Sequence, residues 1–235
     1  MGGERMKLIF ISGMFAGEWI WEEVLKEVSC EKVFVQKDPL SKISGDINEI
    51  VGGLKEKIIK NQQACILVGN SLGGLIASLL ALDNPEYVKG IELSGSPGMG
   101  TTNLGIGLPK EEIWFERLKE KLFVNPDLIT DDQLDLVKEC FKNRKTLKNM
   151  ARLSRASNKT DIRELLDIIK CPVLLLWGEQ DEVSPKRPWI DYAKENPRTE
   201  MFIIPKSGHS PMLEKPHEFT LYLNEFIEKV GNSYE

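Results

Sequence analysis

The sequence contains few histidines and only scattered cysteines, and this scarcity argues against metal-centred chemistry. Two histidines occur in 235 residues. The four cysteines are far apart, with no pair at CxxC spacing: Cys30, Cys65, Cys140 and Cys171. Because a zinc site needs clustered ligands, we expect no metal. Cys65 and Cys171 lie in or beside apolar runs, which is typical of buried thiols in a reduced, cytoplasmic protein.

Long apolar runs and basic runs are also missing. No stretch approaches the roughly 18 apolar residues of a membrane-spanning helix, and the apolar stretch at 7–12 is too short for a signal peptide. The net charge of −5 opposes binding to nucleic acid or anionic membrane, since both favour a basic surface. We therefore expect no nucleic-acid partner and no membrane partner. Nothing in the sequence indicates an oligomeric state.

Six short apolar runs predict the strands of one sheet. They are rich in β-branched residues and lie at 7–12, 32–36, 65–69, 90–94, 172–178 and 200–205. Most are continuously apolar, as expected for strands buried on both faces of a parallel sheet. Amphipathic helical patterns separate them at 18–28, 47–60, 71–83, 187–196 and 216–230. The alternation predicts an α/β fold with a doubly wound, mostly parallel six-stranded sheet.

One long interval, from about 98 to 170, contains no convincing strand. Its patterns are helical, at 111–123, 130–143 and 146–157, and Thr130 with Gln133 has the spacing of a capping box. A plain crossover helix would need far fewer residues. We therefore predict a core formed by 1–97 and 171–235, with a helical lid insertion at 98–170.

The stretch "CILVGNSLGG" at 65–74 places Ser71 between Gly69 and Gly73, where a strand meets a helix. Glycine and serine are common in ordinary turns, so the string alone is weak. A strand, a sharp turn and a helix in that order would lift a serine hydroxyl clear of the sheet. The helix would also point its positive end toward that hydroxyl. The context therefore favours Ser71 as a nucleophile over a simple turn residue.

A nucleophilic serine needs a base, and the two histidines differ in their setting. His217 lies inside a predicted helix and is typical of a surface or packing residue. His209 follows the last predicted strand, in "PKSGHSPMLEKP". In a parallel sheet such a loop lies at the carboxyl edge, where Ser71 is also expected. We predict that His209 is the base.

The acid that orients this base is expected in "LLLWGEQDEVSP", which also ends a strand at the carboxyl edge. Glu179, Asp181 and Glu182 all compete for the role. Asp181 precedes His209 by 28 positions, which leaves room for one helix and one strand between two neighbouring loops. The resulting chain order Ser71, Asp181, His209 is the order associated with this type of elbow.

Four segments together resemble the small, cofactor-free esterases and lactonases of the α/β-hydrolase superfamily. They are "FISGMFAGEWIW", "GNSLGG", "CPVLLLWGEQDEVSP" and "SGHSPMLEKPHEF", and they match in order and spacing over nearly the whole chain. The lid region matches only in position. Members of the family usually begin with two further strands before the run at 7–12. The resemblance therefore implies a trimmed, six-stranded sheet.

The resemblance also implies an oxyanion hole and a pocket. Backbone N–H groups of Met14 and Leu72 would hold the oxyanion. Relatives usually carry His-Gly where this chain has Ser12-Gly13, and backbone donors tolerate that replacement, although Ser12 can alter how the loop is held. The two neighbouring tryptophans, Trp19 and Trp21, are interpreted as packing the following helix. Family position indicates three pocket residues: Phe15, Met99 and Met212.

The implied chemistry is hydrolysis of small, fairly apolar carboxylic esters through an acyl-enzyme on Ser71. On the same triad the family also includes lactonases, carbon–carbon hydrolases, acyltransferases and lyases, and the fold does not choose among them. A slow, receptor-like ligand-binding protein is an alternative from another class. The expected substrate is a small-molecule ester or lactone.

Overall fold

The computed structural model describes residues 6–59, 63–100, 102 and 113–233. Within these residues six strands form one sheet in the order β2-β1-β3-β4-β5-β6, and every neighbouring pair is parallel. The strands are β1 Lys7–Ile11, β2 Lys32–Val35, β3 Cys65–Asn70, β4 Val88–Ser94, β5 Val173–Gly178 and β6 Thr199–Ile204. The predicted six-stranded α/β sheet is confirmed.

Side chains along β1, β3 and β5 point alternately to two separate hydrophobic clusters. In β1, Ile9 and Ile11 belong to the first core cluster, which also includes residues of the helices Ile47–Ile59 and Leu72–Asp83. Leu8 and Phe10 belong to the second core cluster, which also includes residues of the helix Pro216–Asn232. Because both faces of the sheet are covered, its strands are continuously apolar, as the sequence predicts.

The helices lie where the apolar periodicity predicts them, with small shifts at their ends. The described helices are α1 Glu22–Glu27, α2 Leu40–Ile43, α3 Ile47–Ile59, α4 Leu72–Asp83, α5 Ile113–Leu122, α6 Asp131–Lys142, α7 Arg144–Ser157, α8 Ile162–Ile168, α9 Lys186–Glu195, α10 Pro211–Glu214 and α11 Pro216–Asn232. The predicted helix at 18–28 instead begins as a 3₁₀ turn, Glu18–Trp21. Three short helices, α2, α8 and α10, lie outside the predicted ranges, because four to seven residues are too few to show a clear helical period.

The described residues between β4 and β5 form the helices α5 to α8 and a 3₁₀ turn at Pro126–Leu128, joined by loops and without a strand. Positions 101 and 103–112, which include the first two residues of the helix predicted at 111–123, lie outside the described residues. At the start of α6, the Thr130 hydroxyl accepts a hydrogen bond from the Gln133 N–H, and the Gln133 side-chain oxygen accepts one from the Thr130 N–H, so the predicted capping box is confirmed. The last helix, α8, packs against α4, and Ile162 and Leu166 join the first core cluster.

None of the helices in the described part of the chain is both long enough and apolar enough to cross a membrane. All four cysteines are free thiols, and Cys65, Cys140 and Cys171 are buried. Burial raises the pKa of the Cys65 thiol to about 12 and that of Cys171 to about 11, so both stay protonated and unreactive at neutral pH.

Candidate active site

Ser71 occupies a sharp elbow between β3 and α4. Its backbone has φ 55° and ψ −127°, a left-handed region that residues with a side chain rarely adopt. The Ser71 N–H donates to the Ser94 carbonyl at 2.7 Å, which ties the elbow to the end of β4. A Cβ added at Gly73 would lie 2.1 Å from the Ile11 carbonyl oxygen, so the helix can approach β1 only with glycine there. Such strain, maintained by surrounding structure, is typical of functional sites.

His209 and Asp181 meet at the same edge of the sheet, in the loops that follow β6 and β5. The His209 Nδ1 lies 3.0 Å from Asp181 Oδ2 and 3.1 Å from Oδ1. The two side chains are only 7% and 1% exposed. A carboxylate in this position fixes which ring nitrogen carries the proton and leaves Nε2 as the acceptor.

Asp181 is held as a carboxylate by its surroundings. Its Oδ1 accepts the N–H groups of Val183 and Ser184 at 2.9 and 3.0 Å. Burial alone would raise the pKa of Asp181. The attraction of the His209 ring, with the hydrogen bonds from that ring and from the two N–H groups, outweighs burial and keeps the pKa below its usual value. The group is therefore ionised across the neutral range.

The competing residues named from the sequence lie in other settings. Glu182 pairs with Lys121 at 2.7 Å on the surface, and Glu179 accepts a long hydrogen bond from the Lys206 N–H at 3.4 Å. The His217 ring is 80% exposed and bonds to Glu27 at 2.8 Å. The structure thus brings Ser71, Asp181 and His209 to one edge, and it places these alternatives on the surface.

The loop after β1 lies directly against the elbow. A Cβ at Gly13 would be 3.1 Å from the Ser71 Cβ, so the residue before Met14 contacts the serine, and Leu72 follows the serine directly in the chain. Among the described residues, neither the Met14 nor the Leu72 N–H donates to a backbone carbonyl outside its own helix or strand. Two such donors beside a serine are the arrangement that an oxyanion hole requires.

Ser12 has a clear structural role in this loop. Its hydroxyl donates to the Gly17 carbonyl at 2.9 Å and accepts the Trp21 indole N–H at 3.0 Å. The loop is therefore held by a serine–tryptophan link in place of the histidine that relatives usually carry. The sequence indicated that this replacement would matter for the loop, but it did not indicate Trp21 as the partner.

An apolar cavity opens beside Ser71 and His209. The space open to the centre of a water-sized sphere is about 50 Å³, which is enough for a few water molecules. Side chains from both the sheet edge and the β4–β5 segment line it: Met14, Phe15, Ala16, Trp19, Ile20, Leu118, Lys119, Leu122, Phe123, Ile129, Leu134, Val137 and Leu213. Of the three pocket residues expected from the sequence, Phe15 lines the cavity. Met99 and Met212 are instead buried in the first and second core clusters, where they contribute packing.

Asn70 is a site residue that the sequence analysis did not single out. It lines the cavity next to Ser71, and its side-chain amide donates to the carbonyls of Ser94 and His209, both at 3.2 Å. A polar side chain at the buried end of an apolar strand was the available signal. Within the described residues no three His, Cys, Asp or Glu side chains converge in a way that could hold a metal ion.

The fold and this site define the class of protein. A family model described as the alpha/beta hydrolase family matches residues 38–220, and the chain belongs to that family and is a hydrolase. It is similar to a pimeloyl-[acyl-carrier protein] methyl ester esterase from Wigglesworthia glossinidia brevipalpis, with 26% identity covering 97% of this chain and 96% of the relative.

Two further comparisons agree with the fold. A 2-hydroxy-6-oxononadienedioate/2-hydroxy-6-oxononatrienedioate hydrolase from Burkholderia vietnamiensis is 27% identical, over 69% of this chain and 62% of the relative. The crystal structure of a thermophilic esterase from Thermogutta terrifontis superimposes with a TM-score of 0.75 at 18% identity. That match covers 97% of this chain and 91% of the esterase.

Proposed function

We propose that this hydrolase cleaves small, fairly apolar carboxylic esters through an acyl-enzyme on Ser71. The observation that carries the proposal is the position of a strained serine and a buried His209–Asp181 pair at the wall of one apolar cavity. Three groups in these roles are what acyl transfer by serine requires.

The proposed reaction has two steps. First, Ser71 Oγ attacks the ester carbonyl carbon while its proton passes to His209 Nε2, and the carbonyl oxygen becomes an oxyanion beside the Met14 and Leu72 N–H groups. The bond to the alcohol oxygen then breaks, and the imidazolium returns its proton to that oxygen. In the second step, water attacks the acyl-enzyme by the same proton transfers and releases the acid and Ser71. Asp181 stabilises the imidazolium in both steps.

We extend the proposal to the β4–β5 segment, which fits a lid spanning 98–170 over a core of 1–97 and 171–235. Support comes from α5 and α6, whose Leu118, Leu122, Leu134 and Val137 form one wall of the cavity. Because this wall is aliphatic, it favours an apolar acyl or alcohol group. The curated relative that acts on a methyl ester supports an ester with a small alcohol part.

Carbon–carbon bond hydrolysis is the second candidate. It is supported by the similarity to the 2-hydroxy-6-oxononadienedioate hydrolase. The same serine and histidine would serve an activated carbon–carbon bond, so the geometry of the triad does not discriminate. Assaying a vinylogous 1,5-diketone beside the ester substrates separates the two: an ester hydrolase turns over the esters faster by kcat/KM.

The decisive experiment combines a fluorophosphonate label with p-nitrophenyl esters of increasing acyl length. The label should add once per chain, and peptide mapping should place it on Ser71, because a serine with a base and an oxyanion hole reacts quickly. Ser71→Ala should abolish labelling and lower kcat by about 10⁴–10⁶-fold. A folded parent that neither labels nor hydrolyses any ester contradicts the proposal.

The two histidines provide a matched pair of controls. His209→Ala should remove nearly all ester turnover, since no other histidine among the described residues lines the cavity. His217→Ala should leave kcat within about two-fold, because its exposed ring contacts only the surface near Glu27. Equal losses in both variants would remove His209 from the proposed mechanism.

A further inference from the structure

The main chain around His209 is held at three points that do not belong to the triad. The His209 N–H donates to the Leu122 carbonyl at 2.8 Å, and its own carbonyl accepts the Asn70 amide. The N–H of the preceding residue, Gly208, donates to Glu214 Oε2. Two of these three contacts lead toward the end of α5, outside the sheet.

Glu214 uses both carboxylate oxygens to join two separate segments. Oε2 receives the Gly208 N–H, while Oε1 receives the N–H groups of Val124 and Asn125 at 2.8 and 2.9 Å. Val124 and Asn125 follow directly after α5. The residue is only 9% exposed, so these charge-assisted hydrogen bonds are shielded from water. Glu214 is not among the residues that line the cavity.

The two segments that Glu214 joins are also in close steric contact. A Cβ added at Gly208 would lie 2.5 Å from the Leu122 carbonyl oxygen, so the loop that carries His209 packs closely against the end of α5. Leu118 and Leu122 of the same helix line the cavity. A displacement of α5 would therefore change the cavity wall and the position of the histidine together.

We propose that Glu214 is a positioning residue that aligns His209 by fixing its loop to the end of α5. This inference rests on the proposed function, in which His209 transfers the serine proton. The carboxylate acts through the Gly208 N–H and does not touch the substrate. Misplacing a catalytic group by about 1 Å can cost roughly 100-fold in rate, so the loss of this bridge should lower kcat more than it changes substrate binding.

The test is Glu214→Gln, which keeps the shape of the side chain but replaces one acceptor oxygen by an NH₂ group facing N–H donors. With p-nitrophenyl butyrate, kcat should fall by about 10–100-fold while KM changes by less than about 3-fold. Fluorophosphonate labelling of Ser71 should slow by a similar factor. Glu214→Asp keeps the charge on a shorter side chain and should lie between the parent and Glu214→Gln.

Glu182→Gln is the matched control. It makes the same chemical change in an exposed carboxylate that also links α5 to a catalytic loop, through Lys121. Its kcat should stay within about two-fold of the parent, because an exposed ion pair contributes little. An equal fall in both variants would show that any loosened α5 contact lowers activity, and it would overturn the specific role of Glu214.

A spectroscopic readout separates positioning from stability and from the proposed function. The low-field proton resonance of the His209 Nδ1–H reports its contact with Asp181 without requiring turnover. It should shift or broaden in Glu214→Gln and Glu214→Asp and be unchanged in Glu182→Gln.

A lower Tm with unchanged resonance and kcat would make Glu214 a structural residue only. If the parent hydrolyses no ester the proposed function fails, and the resonance still decides the positioning. Where Glu214→Gln does not fold, Glu214→Asp decides by the same criteria.

Discussion

At the residue scale, the loop after β5 carries three carboxylates within four positions, and their surroundings give them different roles. Asp181 is buried against His209 and accepts two backbone N–H groups. Glu179 and Glu182 face the surface, where Glu182 pairs with Lys121. A charge that is buried and fully hydrogen-bonded can orient a neighbouring ring, whereas a solvated charge exerts a much weaker influence.

Asp181→Asn should therefore fold normally and lose up to roughly 10⁴-fold in kcat, because an amide favours the wrong tautomer of His209. Glu179→Gln and Glu182→Gln should each lower kcat by less than about two-fold. Steady-state kinetics on one p-nitrophenyl ester, with circular dichroism to check folding, measures all three. A larger loss of kcat in Glu179→Gln than in Asp181→Asn would show that Glu179, and not Asp181, is the acid.

Glu92 is a second buried carboxyl with a different consequence. It lies in the middle of β4 and is fully buried. Burial raises the pKa of Glu92 well above its usual value, and the backbone of Gly69 and the Ser94 hydroxyl offset only part of that effect. The folded protein thus keeps the proton at pH values where the unfolded chain has already lost it.

The stability of the protein should consequently fall as pH rises above the unfolded pKa of Glu92. The loss accumulates at no more than about 1.4 kcal/mol per pH unit until the folded pKa is reached. Glu92→Gln cannot ionise, so it does not share this loss of stability. Its free energy of unfolding minus that of the parent should therefore be larger at pH 8 than at pH 5. Urea unfolding at the two pH values measures this difference, and equal differences at both would contradict the assignment.

At the scale of elements, the elbow depends on how closely α4 approaches β1. Gly73→Ala would place a methyl group 2.1 Å from the Ile11 carbonyl oxygen. The nearest atoms all belong to the backbone, so no flexible side chain can move aside to make room. We expect a destabilisation of about 3 kcal/mol, at the upper end for overpacked sites.

Gly52→Ala in α3 is the control, because a Cβ there meets nothing within 4 Å. It should stabilise by about 0.5–1 kcal/mol through helix propensity alone. Denaturant melts compare the two, and similar effects would show that the elbow tolerates a side chain.

The strands, most helices and the elbow could be predicted from the sequence because each depends on a local pattern. Continuous apolar runs mark strands buried on both faces, and Thr130 with Gln133 marks the start of α6. Ser71 and His209 follow from their positions after strands, since parallel strands bring such loops to one edge.

Other features depend on contacts between distant positions, and no local pattern reveals them. Spacing and chain order favour Asp181 over the neighbouring carboxylates. The contact between Asp181 and His209 itself is visible only in the folded structure. Glu214 accepts a hydrogen bond from Val124, which lies 90 positions away in the sequence. The sequence around Glu214 resembles an ordinary helix start. Met99 and Met212 were assigned to the cavity by family position, while side-chain direction in loops and short helices depends on packing.

At the scale of the whole molecule, the carboxyl edge of the sheet and the helices between β4 and β5 share one cavity. Ser71 and His209 line it together with the aliphatic side chains of Leu118, Leu122, Leu134 and Val137. Changes in these helices should therefore alter acyl-chain preference. Reactivity toward a small fluorophosphonate should change less, because it depends on the triad and the two N–H donors.

The sheet divides the hydrophobic interior into two clusters, and this division has a consequence for how substitutions combine. Leu67 belongs to the first cluster and Leu176 to the second, so their side chains share no packing partners across the sheet. The costs of Leu67→Ala and Leu176→Ala should add to within about 0.5 kcal/mol. Leu67 and Ile91 are cross-strand neighbours on the same face, and their double variant should depart from the sum by roughly 0.5–3 kcal/mol. Each half of the interior can therefore diverge, or be redesigned, without reference to the other.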